Sequence, residues 1–477
     1  MDYEVVIGME VHVELDTRSK VFCGCSTSFD APPNTNVCPV CLGMPGVLPV
    51  MNRAVVDAEV AVGLALNCTV AKWSKMDRKN YFYPDLAKNY QISQYDLPLC
   101  HGGWLEIEVD GATKRIGITR AHIEEDTARN THALRGGVSG VDFNRSGVPL
   151  LEIVSEPDLR SANETHAYLA ALKQLIQYVG VSDCNMEEGS LRAEANISLR
   201  PAGTEEVGTT TEVKNVASFS GIQRAIEYEI ARQRRVLDEG GKLTQETRGW
   251  DADKGVTFSQ RSKESAHDYR YFPEPDLVPL AVDDAWVQRV AESLPELPQK
   301  RQARLQEEHG LSIYDAGVLT ASRAMADYFE ACLGAGAPPK AAANWIMGDL
   351  QAMLQAEDTE IAACPVSATD LANMIGLIED GTISGKIAKE VLAAMYESGK
   401  PPKQIVEEKG LVQITDEDAI TAIVRQVIEA NPGPAADFKG GTKKALGFLV
   451  GQVMKQTQGK ANPKLVNELL VKELNAN

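Results

Sequence analysis

Hydrophobic and polar residues alternate through "VVIGMEVHVEL" (Val5 to Leu15). Val5, Ile7, Met9, Val11, Val13 and Leu15 fall on one side of an extended chain, and Val6, Gly8, Glu10, His12 and Glu14 on the other. The pattern predicts a strand with one core face and one largely acidic face. The same period runs on both sides of Asp110-Gly111 in "WLEIEVDGATKRIGITRAHIEED", which predicts a hairpin. A helical period takes over in "SANETHAYLAALKQLIQYVG": Ser161 and Glu164 form a capping box, Tyr168, Leu172, Leu175, Ile176 and Val179 line one side, and Gly180 is the stop. A second helix follows in "SFSGIQRAIEYEIARQRRVLDEGG", with Ile222, Ile226, Ile230 and Leu237 along one side and Arg232, Arg234 and Arg235 beyond it. Strands before and after helices, without a regular βαβ rhythm, predict an α+β domain built on an antiparallel sheet.

The pattern changes at "SLPELPQKR" (Ser293 to Arg301), where prolines mark a linker, and is helical almost throughout from there on. A second break at Pro401-Pro402 sets off a short helical tail. The expected division is 1–293, 294–402 and 403–477.

Composition narrows the class. A chain of 477 residues with 44% hydrophobic and 24% charged residues is ordinary for a globular protein of two or three domains. A formal charge of -19 argues against non-specific coating of nucleic acid, although the tail from Lys439 onward carries seven lysines against two glutamates. There is no run of about 18 apolar residues and "MDYEVV" does not read as a leader, so a cytoplasmic protein without a membrane role is expected. Four of the nine cysteines cluster as "CGC" (Cys23, Cys25) and "CPVC" (Cys38, Cys41), a spacing that converges four thiolates on a structural zinc ion; four free or buried thiols are the alternative.

Two carboxylates at neighbouring positions of one strand face repel unless a cation sits between them. Three further acid-rich segments join the opening strand: "HIEED" with His122, Glu124, Glu125 and Asp126, the apolar strand "PLLEIVSEPD" with Glu152 and Glu156, and "NMEEGSLRAEAN" with Glu187, Glu188, Arg192, Glu194 and Asn196. Oxygen donors with an occasional histidine suit magnesium, which often shares a phosphate ligand. Two segments interleave cations with aromatics in a manner suited to a nucleotide or an RNA end: Lys75, Arg78, Lys79 and Lys88 with Tyr81, Phe82, Tyr83, Tyr90 and Tyr95, then Arg261, Lys263, His267 and Arg270 within "RSKESAHDYRYFPEPDL". No Walker loop, Rossmann fingerprint or nucleophile elbow is present.

Taken together, "GMEVHVEL", "CPVCLGMPGVLPVMN", "DRKNYFYPDL", "HIEEDTA", "PLLEIVSEPD", "MEEGSLR", "RSKESAHDYRYFPEPDL" and "LVGQVMKQTQGKANP" resemble, in order and across nearly the whole chain, the GatB/GatE family of tRNA-dependent amidotransferase subunits. The resemblance implies a glutamine-synthetase-like cradle domain, a helical domain and a YqeY-like tail. It also implies a ligase that forms carbon–nitrogen bonds. The side-chain carboxylate of Glu-tRNA(Gln) or Asp-tRNA(Asn) is phosphorylated by ATP and amidated with ammonia from a glutaminase partner, the family's amidase (A) component, with a small C component making up the heterotrimer. On this pattern Glu10, His12, Glu125 and Glu152 are the expected magnesium ligands and, with Lys79, the catalytic set. Lys88, Tyr81, Glu187 and Arg192 are the expected ATP and substrate contacts. Cys23, Cys25, Cys38 and Cys41 are the expected zinc knuckle, and Lys443, Lys444, Lys455 and Lys460 the expected tRNA contacts. The sequence departs from the pattern at Ala193-Glu194, where "CDAN" is frequent, at Ala217, and after "HIEED", where "GK" is missing. A freestanding small-acid ligase and a non-catalytic RNA-binding scaffold are the alternatives. The lysine-rich tail argues against the first, the acids on apolar strands against the second.

Overall fold

The computed structural model describes residues 2–131, 137–262, 267–414, 416–440, 442–457 and 460–476. Lys263 lies outside the described residues, as do the side chains of Arg261 and Lys443. The chain divides into two compact units, one running to Pro298 and one from Gln299 onward.

The first unit is built on a mixed sheet of nine strands among the described residues. The opening alternation becomes β1 (Tyr3–Glu14), with Met9, Val11 and Val13 buried and Glu10, His12 and Glu14 half-buried on the other side. In chain order there follow α1 (Arg53–Ala65), β2 (Thr69–Val70), β3 (Asp77–Asn80), β4 (Tyr90–Ser93), β5 (Cys100–Val109), β6 (Ala112–Glu125) and β7 (Pro149–Ser155). Then come α2 (Ala162–Val179), β8 (Leu191–Pro201), β9 (Thr211–Lys214), α3 (Phe219–Asp238), β10 (Glu246–Asp251), β11 (Val256–Ser262) and β12 (Phe272–Pro273).

The sheet order is β11-β10-β9-β8-β1-β7-β6-β5-β2, so the first strand sits at the centre. Its pairs with β7 and β8 are antiparallel, as are most others; β9 and β10 run parallel. Asp110 and Gly111 both take positive φ, 53° and 78°, which closes the β5–β6 hairpin with the turn their sequence predicts. In α2 the Ser161 Oγ accepts from the Glu164 N–H at 3.1 Å, while the reciprocal arm goes to the Arg160 N–H rather than to Ser161. The apolar sheet face and α1, α2 and α3 enclose one core containing Met9, Val11, Ile123, Leu151, Tyr168 and Ile222. β12 pairs with β3, and β3 with β4, in a separate three-stranded sheet.

The second unit is helical, as the pattern after the proline linker predicts, and holds two hydrophobic clusters. One spans Leu305 to Leu411, the other Ile420 to Leu474. Ile405 and Val406, from the helix Pro402–Glu408, are buried in the first cluster. The tail's own core therefore begins past Leu411 and not at the expected boundary of Pro402, because that helix buries its apolar side on the preceding helices. Among the described residues no helix is long and apolar enough to cross a membrane.

Candidate active site and metal centres

Strand pairing assembles the site. His12 stands opposite Glu152 of β7 on one side and Arg192 of β8 on the other; Glu10 stands opposite Glu194. Glu152 in turn faces His122 of β6, and Asn196 faces Glu212 of β9. Since side chains alternate, every second residue of five neighbouring strands meets on one polar face while the residues between them fill the core.

Two groups of donors result, each with its ligand atoms within 4.8 Å of one another: His12, Glu124 and Glu152, and beside it Glu10, Glu194 and Glu212. His12 Nε2 lies 3.3 Å from Glu124 and 4.0 Å from Glu152, whose other neighbour is His122 Nε2 at 3.1 Å. Asn196 donates to Glu10 Oε1 at 2.8 Å. Lys214 lies 3.4 Å from Glu212 and 3.7 Å from Glu194. Burial works against a charged His12, but the hydrogen bond to Glu124 and the charges of Glu152, Glu124 and Glu194 outweigh it and raise its pKa to about 9. Burial opposes ionisation of Glu152 as well, yet His122, His12 and Lys79 hold its carboxyl well below the ordinary range. Carboxylates packed this densely on a half-buried face call for a cation, and carboxylate oxygens with one imidazole form the donor set of a hard divalent ion such as magnesium.

A third member of the β1 face has another role. Burial and the adjacent Asp126 push Glu14 up to about 8, so at neutral pH it is largely protonated and hydrogen-bonded to Asp126. Asp126 itself is held by Arg192 at 2.9 Å and Arg145 at 3.5 Å. Arg192 is thus placed on the polar face, but its guanidinium is engaged with Asp126.

An aromatic layer accompanies the acids. Lys79, on β3, has no ion pair within 4.0 Å among the described residues; its ammonium lies 4.8 Å from the Tyr269 ring centre and 5.8 Å from that of Tyr81. Burial disfavours its charge, but Glu124 and other neighbours raise its pKa above the ordinary value. Tyr271 stacks on Tyr95 at 4.2 Å. The backbone that carries these rings is anchored by Arg78, which grips Glu274 with two hydrogen bonds of 2.6 and 2.8 Å. Arg78 and Lys75, which pairs with Asp77 and Asp96, are accordingly committed within the fold.

Several expected site residues stand elsewhere. Glu125 points to the opposite side of β6 from Glu124; it accepts from the Ile92 N–H at 2.9 Å and pairs with Lys88. Glu124, not Glu125, joins His12 and Glu152. The alternation that marked β1 also runs through "HIEED", where buried Ile123 fixes His122 and Glu124 on the polar face. Lys88 is tied to Glu125 beside a cavity of about 180 Å³ lined also by Lys20, Cys23, Cys41 and Tyr90. Glu187 is exposed in a turn, its N–H donating to Asn185 at 2.9 Å. Glu194, to which the sequence assigned no role, and Glu212, which it did not single out, both enter the Glu10 group. Their signal was the same alternation on β8 and β9, readable once β8 is paired with β1 and β9 with β8.

The four cysteines of the two short motifs converge, all Sγ atoms lying within 4.8 Å, and Cys38 and Cys41 approach to 3.9 Å. A tetrahedral zinc–thiolate centre with bonds of about 2.3 Å needs sulfurs roughly 3.8 Å apart, so the set fits zinc. The Cys23 hydrogen bond, with the nearby Lys20 charge among further causes, pulls Cys41 down to about 4, whereas burial pushes Cys25 up to about 11. Gly43 takes φ +63° where a Cβ would collide with the Lys88 side chain, which fixes glycine in the knuckle.

In the tail, the helix Lys443–Gln456 exposes Lys444, Phe448 and Lys455 at helical spacing on one side. Lys439 and Lys464 are also exposed, and none of these four lysines has an ion pair among the described residues. Lys460 is half-buried, with its carbonyl accepting from the Ile414 N–H at 2.7 Å.

Comparison with known proteins gives consistent results along the chain. A family model described as the GatB/GatE catalytic domain matches residues 5–288, and one described as the GatB domain matches residues 327–474. The chain is similar to proteins named as the B subunit of aspartyl/glutamyl-tRNA(Asn/Gln) amidotransferase. It is 57% identical to that of Carboxydothermus hydrogenoformans over 98% of both chains. It is 58% identical to that of Moorella thermoacetica over 99% of this chain and all of the relative, and 57% identical to that of Geobacter sulfurreducens over the same shares.

Proposed function

Since this chain belongs to the GatB/GatE family, we propose that it is the kinase and transamidase subunit of a tRNA-dependent amidotransferase, acting on Glu-tRNA(Gln), Asp-tRNA(Asn) or both with ATP as phosphoryl donor. The observation that carries this reading is the pairing of two oxygen-rich donor groups, His12/Glu124/Glu152 and Glu10/Glu194/Glu212, on one half-buried face beside Lys79 and an aromatic layer.

A carboxylate is a poor acyl donor, so amide formation requires its activation. A carboxylate oxygen of the tRNA-borne side chain attacks the γ-phosphorus, and the bond from that phosphorus to the bridging oxygen breaks, its electrons leaving with ADP. Ammonia then attacks the carbonyl carbon of the acyl phosphate; the bond to the phosphate oxygen breaks, and the proton lost by nitrogen leaves on phosphate. His12, Glu124 and Glu152, with Glu10, Glu194 and Glu212 beside them, would hold magnesium, which would supply screening of the triphosphate charge and polarisation of the phosphorus–oxygen bond. Lys79 supplies a fixed positive charge to the phosphates, and Tyr81 and the neighbouring rings stack on the nucleotide or terminal adenosine while excluding water. The four-cysteine knuckle holds zinc as a structural ion. The exposed lysines of the tail, with Phe448 among them, bind the tRNA body through its phosphates. With no nucleophile elbow in the sequence, ammonia comes from a separate amidase partner that hydrolyses glutamine, and a small third component makes up the heterotrimer.

The test is ATP cleavage by the reconstituted complex with Glu-tRNA(Gln), uncharged tRNA and free glutamate. Cleavage stimulated by charged tRNA alone is expected. Stimulation by free glutamate would favour a small-acid ligase, and no cleavage with any of the three would leave a scaffold.

A further inference from the structure

One cation of the polar face has no role in the scheme above. Arg120 lies on β6 two residues before His122 and four before Glu124, so the alternation that turns those two toward the acidic groups turns Arg120 the same way. In the register it stands opposite Val154 of β7, two residues along from Glu152. Its guanidinium has no hydrogen-bond or ion-pair partner among the described residues, and its Nε is shut off from solvent. Arg78, Arg145 and Arg192, by contrast, each hold a carboxylate. A guanidinium whose Nε is desolvated and unpaired costs free energy, and its half-buried end is left open to a partner from outside the chain.

The charges around Arg120 say what that partner is. Arg120 shares the β6 face of His122 and Glu124, the Tyr271 ring packs 6.1 Å from that of Tyr269, and the Lys79 ammonium lies 4.8 Å from the same Tyr269 ring. Lys79 likewise has no carboxylate within 4.0 Å among the described residues. Once the carboxylates are committed to divalent ions, they no longer neutralise Lys79 and Arg120. The face then presents one compact cation and one planar fork of N–H donors, an arrangement that suits a tetrahedral anion with several equivalent oxygens.

We propose that Arg120 is a catalytic residue of the phosphoryl transfer: its guanidinium holds the non-bridging oxygens of the phosphoryl group as it passes from ATP to the tRNA-borne carboxylate. It stays on the acyl phosphate until ammonia displaces that group as phosphate. The inference rests on the kinase reading above.

The experiment compares wild type, Arg120→Met and Arg120→Lys in the complex with the amidase and the small third component. It follows single-turnover ADP formation from labelled ATP with Glu-tRNA(Gln) and no ammonia source, alongside tRNA filter binding and the melting temperature. Loss of a donor to transferring charge predicts a rate lower by roughly 100-fold or more in Arg120→Met. Partial recovery in Arg120→Lys is expected, with tRNA affinity within about twofold of wild type. Because no protein group loses a partner, the melting temperature should hold or rise. A rate in Arg120→Met within about threefold of wild type would overturn the assignment, as would an equal loss in both variants. Wild type without charged-tRNA-dependent cleavage would instead sink the kinase reading itself, whereas an active wild type with an equally active Arg120→Met retires Arg120 alone.

Discussion

Glu124 and Glu125 are neighbours in one motif yet face opposite sides of β6, so replacing each with glutamine should separate chemistry from stability. In Glu125→Gln the amide cannot neutralise Lys88, and the pair is nearly buried, with side-chain exposures of 10% for Lys88 and 5% for Glu125. Removing one member of such a pair costs about 3–5 kcal/mol, because the other charge stays desolvated. Unfolding entropy of about 2.1 cal/mol/K per residue gives the unit that ends at Pro298 roughly 0.6 kcal/mol/K, so its melting temperature should fall by roughly 5–8 °C. Glu124→Gln removes the anion beside His12, but His12 keeps Glu152 at 4.0 Å and the glutamine oxygen can still accept its hydrogen bond, so the melting temperature should fall by less than in Glu125→Gln. Its loss appears in chemistry: charged-tRNA-dependent ATP cleavage should drop by roughly 100-fold or more, against less than about tenfold for Glu125→Gln assayed well below its melting temperature. Calorimetry and an ADP-release assay on the same preparations read both quantities. Equal activity losses at unchanged melting temperature would refute the division of roles between the two faces.

Three further outcomes are expected. Each purified chain should carry about one zinc ion by atomic absorption, and Cys38→Ser should lose it and melt at lower temperature; a full complement of zinc in that variant would show that Cys38 is not a ligand. Glu14, raised from 4.5 to about 8 in the fold, contributes stability that is fully present below about pH 4.5 and lost as pH rises through about 8. Wild type should therefore fall behind Glu14→Gln by roughly 2–3 kcal/mol between pH 5.5 and 8.5, and parallel denaturation midpoints across that range would contradict the shift. Charge reversal at Lys444 and Lys455 should weaken tRNA binding and reduce its salt slope by about 1 per lysine while sparing turnover at saturating tRNA, and unchanged affinity in filter binding would remove the tail from the interface.

The parts of this protein that depend on near neighbours in the chain were legible in its sequence. The acidic face of the opening strand, the Asp110-Gly111 turn, the Ser161 cap with Gly180 as stop and the convergent cysteine pairs all follow from interactions within a few residues, where spacing alone decides which side chains meet. The change at the proline linker from a mixed to a helical pattern belongs with them. Strand pairing decided the rest. Glu194 and Glu212 are far from Glu10 in sequence and become its companions only through the register of β8 on β1 and β9 on β8. Register also places Glu124 beside His12 and sends Glu125 to Lys88. Whether a cation is committed or left available, as with Arg192 against Asp126 and Arg120 against nothing in the described chain, depends on which carboxylates folding brings within a few ångströms. A sequence shows which residues carry charge, but the energy of a charge is set by its neighbours in space, and a one-residue shift in pairing exchanges every neighbour on the face.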